Sequence, residues 1–281
     1  MRTLAKPSLD PKTVYLTCVS RVRDEVLKEQ LESISETIKT DAKNYNSKAE
    51  SKKWYLIDES DGVDNIVSKD EMEKVYTNRM ANKKSPGRHY YNEIKESSPF
   101  NICPLCAHRT VEQVDHYLPK SKFSSLVVVP NNLVPSCEKC NKIKLDDAPS
   151  NNSEQTLHPY YDDVTHQQWL FAEVMETSPA SFRFFVKKVE EFDDNLNDRI
   201  SYHFRTLELG VLYASQTGAF ISDIQYRLVD LYEKGGLDEV RDYLKEEEKT
   251  RSRNNVNSWQ RAMFQALYQS DWFCDGGFEA S

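Results

Sequence analysis

The chain has 281 residues, of which 38% are hydrophobic and 29% are charged. This length favours two domains or one extended domain, and the composition excludes a wholly disordered protein. No apolar run approaches the roughly 20 residues that span a bilayer, and the opening MRTLAKPSLDPK lacks the apolar core of a secretory signal. We therefore expect a cytoplasmic protein with no membrane partner.

The net charge is −8, from 37 basic and 45 acidic residues, and it is unevenly distributed. Residues 83–144 carry ten Lys/Arg and five Asp/Glu, a local charge of +5, which leaves −13 for the rest of the chain. This pattern excludes a uniformly basic nucleic-acid wrapper but allows a local basic surface. We expect any phosphate-binding surface to lie in this middle segment.

The N-terminal region is predicted to be helical. Asp10-Pro11 has the form of a helix start, and apolar residues then recur at helical spacing from Val14 to Ile38, which indicates an amphipathic helix or a helix pair. Residues 41–53 are polar and are expected to form a loop. The capping box of Ser68 and Glu71 opens a further helix that ends before the sequence KKSPG.

The C-terminal region begins with a predicted β-hairpin. Residues 169–176 and 181–186 have strand character and flank Ser178-Pro179. From about residue 194 the apolar pattern is helical, and Gly235-Gly236 is expected to end one helix. A charged helix and a final helix are expected to follow.

The six cysteines fall into two close pairs and two single residues. Both pairs have the form C-x2-C: Cys103 with Cys106, and Cys137 with Cys140. Two such turns supply four thiolates to a tetrahedral Zn²⁺ site with no open position, so we predict a structural zinc. Disulfides, a redox-active pair and an iron–sulfur cluster are the alternatives, and two pairs flanking one short insert favour zinc. Cys18 and Cys274 are expected to be buried as small hydrophobic residues.

The insert between the two pairs is predicted to contain two strands and a helix around a metal. Residues 111–116 and 126–129 are the strand candidates, and the second pair is expected to open a short helix that carries Asn141. Adjacent strand residues face opposite sides. Asp115 and His116 can therefore reach one site only if the strand ends there, which the nearby Pro119 favours.

Residues of this insert have the chemistry of a phosphodiesterase site. Asp115 and Asn141 offer hard oxygen ligands that suit Mg²⁺ or Mn²⁺, and His116 can take a proton from water at neutral pH. A metal for the leaving oxygen and a base for the attacking water suffice to hydrolyse a phosphodiester. Each residue alone has an ordinary structural alternative, so the prediction depends on their occurring together. The lysines expected to contact phosphates are Lys120, Lys122, Lys142 and Lys144.

At these positions the sequence resembles the HNH endonuclease family, which has the ββα-metal fold. The matching segments are CPLC at 103–106, VDHYLPKS at 114–121, NNLVPSC at 131–137 and CNKIK at 140–144. The resemblance implies that His116 is the general base and that Asn132 holds the loop of the base in place. It also implies that Asn141 and Asp115 bind the catalytic metal. The third position of the family motif is Asn here rather than His.

Features outside the module extend the resemblance. RHYY at 88–91 and HPYYD at 158–162 are similar to segments of bacterial HNH proteins, with Arg88 as a phosphate contact or a helix cap and His158 as a structural histidine. The N-terminal helix and the aromatic C-terminus are similar to HNH components of phage-defence operons, including Septu-type systems and related retrons. This similarity implies an effector nuclease that acts with an SMC/ABC-like ATPase.

The sequence therefore predicts a metal-dependent HNH endonuclease that hydrolyses DNA, leaving 5′-phosphate and 3′-hydroxyl ends as the resemblance implies. Two alternatives stay open: a zinc-stabilised module that binds nucleic acid or protein without chemistry, and an RNA nuclease that uses the same site. The predicted fold is mainly α with a small α+β module. It comprises an N-terminal helical region for partner docking (1–82), the HNH module (83–165), and a C-terminal β-hairpin with a helical region (166–281).

Overall fold

The computed structural model of the protein describes residues 1–146 and 148–279. The chain divides into two units, Met1–Asp163 and Val164–Ser281. The N-terminal helices and the cysteine-rich module, which the sequence suggested as separate regions, lie together in the first unit. The described chain is mainly helical, with one small antiparallel hairpin in each unit. Within these residues no helix is both long enough and apolar enough to cross a membrane.

Residues 1–96, which precede the cysteine-rich module, are mainly helical. The helices are α1 (Pro11–Val19), α2 (Glu25–Ser33), α3 (Ser35–Glu50), α4 (Lys69–Arg79) and α5 (Arg88–Glu96). The predicted start of α1 is confirmed, because the Asp10 carboxylate accepts a hydrogen bond from the Thr13 N–H at 2.8 Å. The predicted cap of α4 is also confirmed, because Ser68 Oγ accepts from the Glu71 N–H at 3.4 Å.

The loop expected over residues 41–53 is wrong, because α3 continues through most of that segment. Ala42, Tyr45 and Ala49 follow one another at helical spacing and are buried. The Tyr45 hydroxyl also forms a 3.0 Å hydrogen bond with His158 Nε2. Tertiary packing of this narrow stripe therefore stabilises a helix in a segment whose overall composition is polar.

The cysteine-rich module contains β1 (Gln113–His116), β2 (Leu133–Ser136) and α6 (Glu138–Lys144). The two strands are antiparallel, with Asp115 opposite Val134 and His116 opposite Leu133. The prediction of a strand at 126–129 is wrong: these residues are buried in turns, and the partner of the first strand is β2. A short buried apolar run has no periodicity that separates a strand from core-filling turns.

The second unit contains β3 (Leu170–Met175), β4 (Ser181–Val186), α7 (Asp194–Thr206), α8 (Leu209–Asn254) and α9 (Trp259–Gln269). The predicted hairpin and the predicted C-terminal helices are confirmed. Gly236 has a φ of +70°, so the expected helix end is a kink between two helical segments of α8. The buried Asn257 links the hairpin to the segment before α9, since its Oδ1 accepts from the Trp169 N–H at 2.8 Å.

Candidate active site and metal centre

Four cysteines of the first unit form one cluster. They are Cys103, Cys106, Cys137 and Cys140, all buried, and their Sγ atoms lie within 4.8 Å of one another. The Arg109 N–H donates to Cys106 Sγ, and the Cys140 N–H donates to Cys137 Sγ, both at 3.4 Å. Cys18 and Cys274 are fully buried and lie outside the cluster, which confirms their predicted role as small core residues.

The cluster fits a tetrahedral metal ion. Metal–sulfur bonds of about 2.3 Å place the four sulfurs about 3.8 Å apart, which the observed spacing accommodates. All four thiols are free of disulfide bonds. Four sulfur ligands leave no position for a substrate, so a metal bound here has a structural role. It would join the turn that precedes β1 to the first residues of α6.

β1 and α6 bring the Asp115 carboxylate and the Asn141 amide into contact. One terminal atom of the amide lies 2.8 Å from Asp115 Oδ1 and 3.2 Å from Oδ2. With nitrogen at that position, the amide donates to the carboxylate and its oxygen accepts from Gln113 Nε2 at 2.7 Å. With oxygen at that position, three oxygens converge, which is a donor set for a hard divalent cation. Asp115 and Asn141 can therefore bind such an ion when the amide oxygen, rather than the amide nitrogen, faces the carboxylate.

His116 lines the same cleft as this pair, a cavity of about 320 Å³. Its Nε2 lies 2.8 Å from the Val127 carbonyl oxygen. A carbonyl only accepts hydrogen bonds, so Nε2 carries the proton of the neutral ring and Nδ1 is the basic nitrogen. Burial lowers the pKa of His116 to about 3, whereas burial raises the pKa of the neighbouring Asp115. The imidazole is therefore neutral at pH 7.

Asp115 and His116 are neighbours in β1, and adjacent strand residues ordinarily face opposite sides, but the strand ends at this pair. The His116 N–H donates to Asp115 Oδ1 at 2.7 Å, so the carboxylate folds back over the backbone of the next residue. β1 ends at His116, after which the chain turns into the loop that leads to β2. Both side chains consequently line one cleft.

Asn132 fixes the loop that connects the two strands. Its side chain is fully buried. Oδ1 accepts from the Leu118 N–H at 2.7 Å, and Nδ2 donates to the carbonyl oxygens of Leu118 and Leu126 at 3.0 and 3.2 Å. The same loop carries the Val127 carbonyl that bonds His116. Asn132 thus holds the backbone that orients the imidazole.

Three of the lysines expected to contact phosphates form ion pairs with glutamates. The pairs are Lys120 with Glu73 (2.5 Å), Lys122 with Glu59 (3.1 Å) and Lys142 with Glu138 (2.6 Å). Lys142 is exposed and the other two are partly exposed. Because each is paired, a phosphate would have to displace or share a carboxylate partner. Such exposed pairs are weak.

The remaining two expected phosphate contacts, Lys144 and Arg88, bond to backbone carbonyl groups, and the expectation is wrong for the buried Lys144. Lys144 is 7% exposed, and its ammonium donates to the His116 carbonyl oxygen at 2.6 Å, so it braces the end of β1. The Arg88 guanidinium donates to the Ala81 carbonyl oxygen and lies over the ring of Tyr91. Burial removes Lys144 from the predicted surface, whereas Arg88 is half-buried, and its choice between phosphate contact and helix cap stays a prediction.

Gln113, Tyr76 and Asp146 also line the cleft and were not predicted. Gln113 precedes Asp115 by two positions on β1, so the strand period of two places both on one face and could have identified it. The Tyr76 ring packs edge-on against His116 with ring centroids 4.3 Å apart. Tyr76 belongs to α4, and no local signal links it to the module. Asp146 follows α6, and its charge contributes to the raised pKa of Asp115.

Comparison with known proteins adds one relative. The chain is 27% identical over 224 residues to protein ea31 of Escherichia phage lambda, and the match covers 75% of each chain. The name of that protein states no activity. No protein-family model and no solved structure matches the chain.

Proposed function

We propose that the protein is a metal-dependent endonuclease of the HNH type that hydrolyses DNA phosphodiesters. The observation that carries the proposal is the convergence of Asp115, His116 and Asn141 in one cleft of a ββα module. A carboxylate, an adjacent amide that can turn its oxygen towards it, and a neutral imidazole in one tautomer are the ligands and the base that this reaction requires. The proposal includes Mg²⁺ or Mn²⁺ at Asp115 and Asn141, and structural Zn²⁺ at the cysteine cluster.

The residues of the cleft divide the chemistry between them. Asp115 and Asn141 would hold a divalent cation, which would neutralise charge on the scissile phosphate and stabilise the leaving oxygen. His116 accepts the proton of the attacking water at Nδ1. The Val127 carbonyl favours the protonated ring, because Nε2–H still donates to it after proton uptake. Asn132 keeps that carbonyl in place throughout.

The test is a nicking assay on supercoiled plasmid DNA with Mg²⁺ or Mn²⁺, comparing the parent chain with His116→Ala. We expect the variant to lose cleavage by about 100-fold or more, since a positioned general base contributes roughly 10²–10⁴-fold. The matched control is His89→Ala, which removes an exposed histidine of α5 whose ring lies against Tyr90. This control should cleave like the parent. Equal cleavage by His116→Ala and the parent refutes the mechanism.

A second variant separates chemistry from stability, because His116 is buried. Asn141→Ala removes a proposed metal ligand at a partly exposed position, and we expect it to lose cleavage while its thermal unfolding midpoint stays near that of the parent. DNA binding without cleavage under either metal would support the silent binding module. Cleavage of RNA in place of DNA would support the RNA nuclease. The ATPase partner, the defence role and the cytoplasmic location stay predictions.

A further inference from the structure

A second pocket of the first unit lies at the C-terminal end of α4 and has a volume of about 280 Å³. We call it the basic pocket. Its polar lining residues are Arg21, Asn78, Arg79, Asn82, Lys84 and Ser85. Three of these side chains are cationic, and no carboxylate is among the lining residues that the structure describes. The pocket is therefore suited to an anion.

Two cations of the basic pocket differ from the three paired lysines described above. Arg21 and Lys84 are exposed, and in the described part of the chain neither side-chain cation has an ion pair or a hydrogen bond. Arg79 Nη2 lies 3.5 Å from a Glu71 carboxylate oxygen, but Nη1 is buried without a hydrogen-bond partner. A buried N–H group with no acceptor is costly. An oxygen of a bound anion would satisfy it.

The loop that carries Lys84 is fixed before any ligand binds. The Lys84 N–H donates to Asn82 Oδ1, and the Gly87 N–H donates to the Arg79 carbonyl oxygen, both at 3.0 Å. A Cβ on Gly87 would lie 2.5 Å from Cys18 Sγ, so glycine is required where the loop meets α1. Little backbone ordering is needed to bring the cations together, which favours binding.

One helix connects the basic pocket with the cleft. Tyr76 of α4 lines the cleft, and Arg79 lines the basic pocket. Three residues along a helix correspond to about 4.5 Å along its axis. α4 therefore supplies a lining residue to each site, which favours one extended polyanion as the ligand of both. We propose that the basic pocket binds a backbone phosphate of the nucleic acid that flanks the cleavage site, an inference that rests on the proposed function.

The experiment is fluorescence anisotropy with labelled DNA oligonucleotides, single-stranded and duplex, titrated without divalent metal over a range of NaCl concentrations. We expect the double variant R21Q/K84Q to bind about tenfold or more weakly, and the slope of log K against log salt to fall by about 1 to 2, because each lost phosphate contact lowers it by about 1. The matched control is K43Q/K53Q, which removes two exposed lysines outside both pockets. It should bind like the parent.

The outcomes separate this proposal from the proposed function. An R21Q/K84Q variant with the affinity and salt slope of the parent overturns the basic pocket even if plasmid cleavage is intact. Weakened binding by that variant supports the basic pocket even if the parent cleaves nothing. Parallel titrations with RNA identify the nucleic acid, and a parent chain that binds neither DNA nor RNA overturns the proposal.

Discussion

Asn132 positions the candidate base through the backbone of the loop. The side chain bonds three backbone groups around the loop that presents the Val127 carbonyl, and it is fully buried. Replacement with alanine would leave those groups without partners in a site that excludes water. We expect Asn132→Ala to lower the free energy of unfolding by about 2–5 kcal/mol, measured by urea denaturation.

Asn131, which precedes Asn132 in the chain, provides the control for this substitution. The Asn131 amide is half-buried and donates to Asn46 Oδ1 at 2.8 Å. Asn131→Ala should therefore lower the free energy of unfolding by about 1 kcal/mol or less. If the two alanine variants were equally stable, Asn132 would not hold the loop, and its part in orienting His116 would have to be abandoned.

At the scale of elements, α6 uses two lysines for opposite purposes. Lys142 is exposed and pairs with Glu138 on the same helix, whereas Lys144 is buried and donates to the His116 carbonyl oxygen of β1. Residues two positions apart on a helix do not share a face. We expect Lys144→Met to lower the free energy of unfolding by about 1–3 kcal/mol, because a buried carbonyl loses its donor.

Lys142→Met is the matched control, and it should leave the free energy of unfolding close to that of the parent, because an exposed ion pair contributes little. Urea denaturation of both variants decides between the two roles. A Lys144→Met variant of unchanged stability that binds DNA with a smaller salt slope would restore the phosphate contact first expected for this lysine.

Local signals explain which elements could be predicted from the sequence. The caps at Asp10 and Ser68 are hydrogen bonds within one helical turn, and the C-x2-C turns lie within a few residues, so each is visible in a short window. Asp115 and His116 are adjacent and are visible in the same way, whereas the roles of Asn132 and Asn141 came from the resemblance to the HNH motif. The order of the ββα elements was correct even though the position of β2 was not.

Long-range packing explains the rest. α3 continues past residue 41 because Tyr45 meets His158, which is more than a hundred positions away. The apolar run at 126–129 predicts a strand, but its residues are the buried part of the loop between β1 and β2 that Asn132 holds. Tyr76 covers His116 from a helix that no local pattern connects to the module. Such contacts are properties of the fold and have no counterpart in a window of sequence.

At the scale of the whole molecule, the cysteine cluster joins segments that are far apart in the first unit. The Arg2 N–H donates to the Pro104 carbonyl oxygen at 2.8 Å, so the N-terminal segment is bonded to the first C-x2-C turn. The second turn opens α6, which carries Asn141. A metal at the cluster would therefore stabilise the N-terminal segment, the hairpin and the candidate site together. The binding free energy of structural Zn²⁺ is about 10–16 kcal/mol in small zinc peptides and couples directly to folding.

We expect removal of the metal, by chelator or by Cys103→Ser, to lower the thermal unfolding midpoint of the first unit and to abolish plasmid cleavage. The second unit should keep its midpoint, because the metal-ligand cluster found among the described residues lies entirely in the first. Calorimetry measures the two transitions, and elemental analysis measures the zinc. Cys274→Ser, which removes a buried thiol from the second unit, should retain one zinc per chain. If Cys103→Ser retained the zinc and the parent melting profile, the four sulfurs would be a packed core of free thiols, and the metal-stabilised module would be wrong.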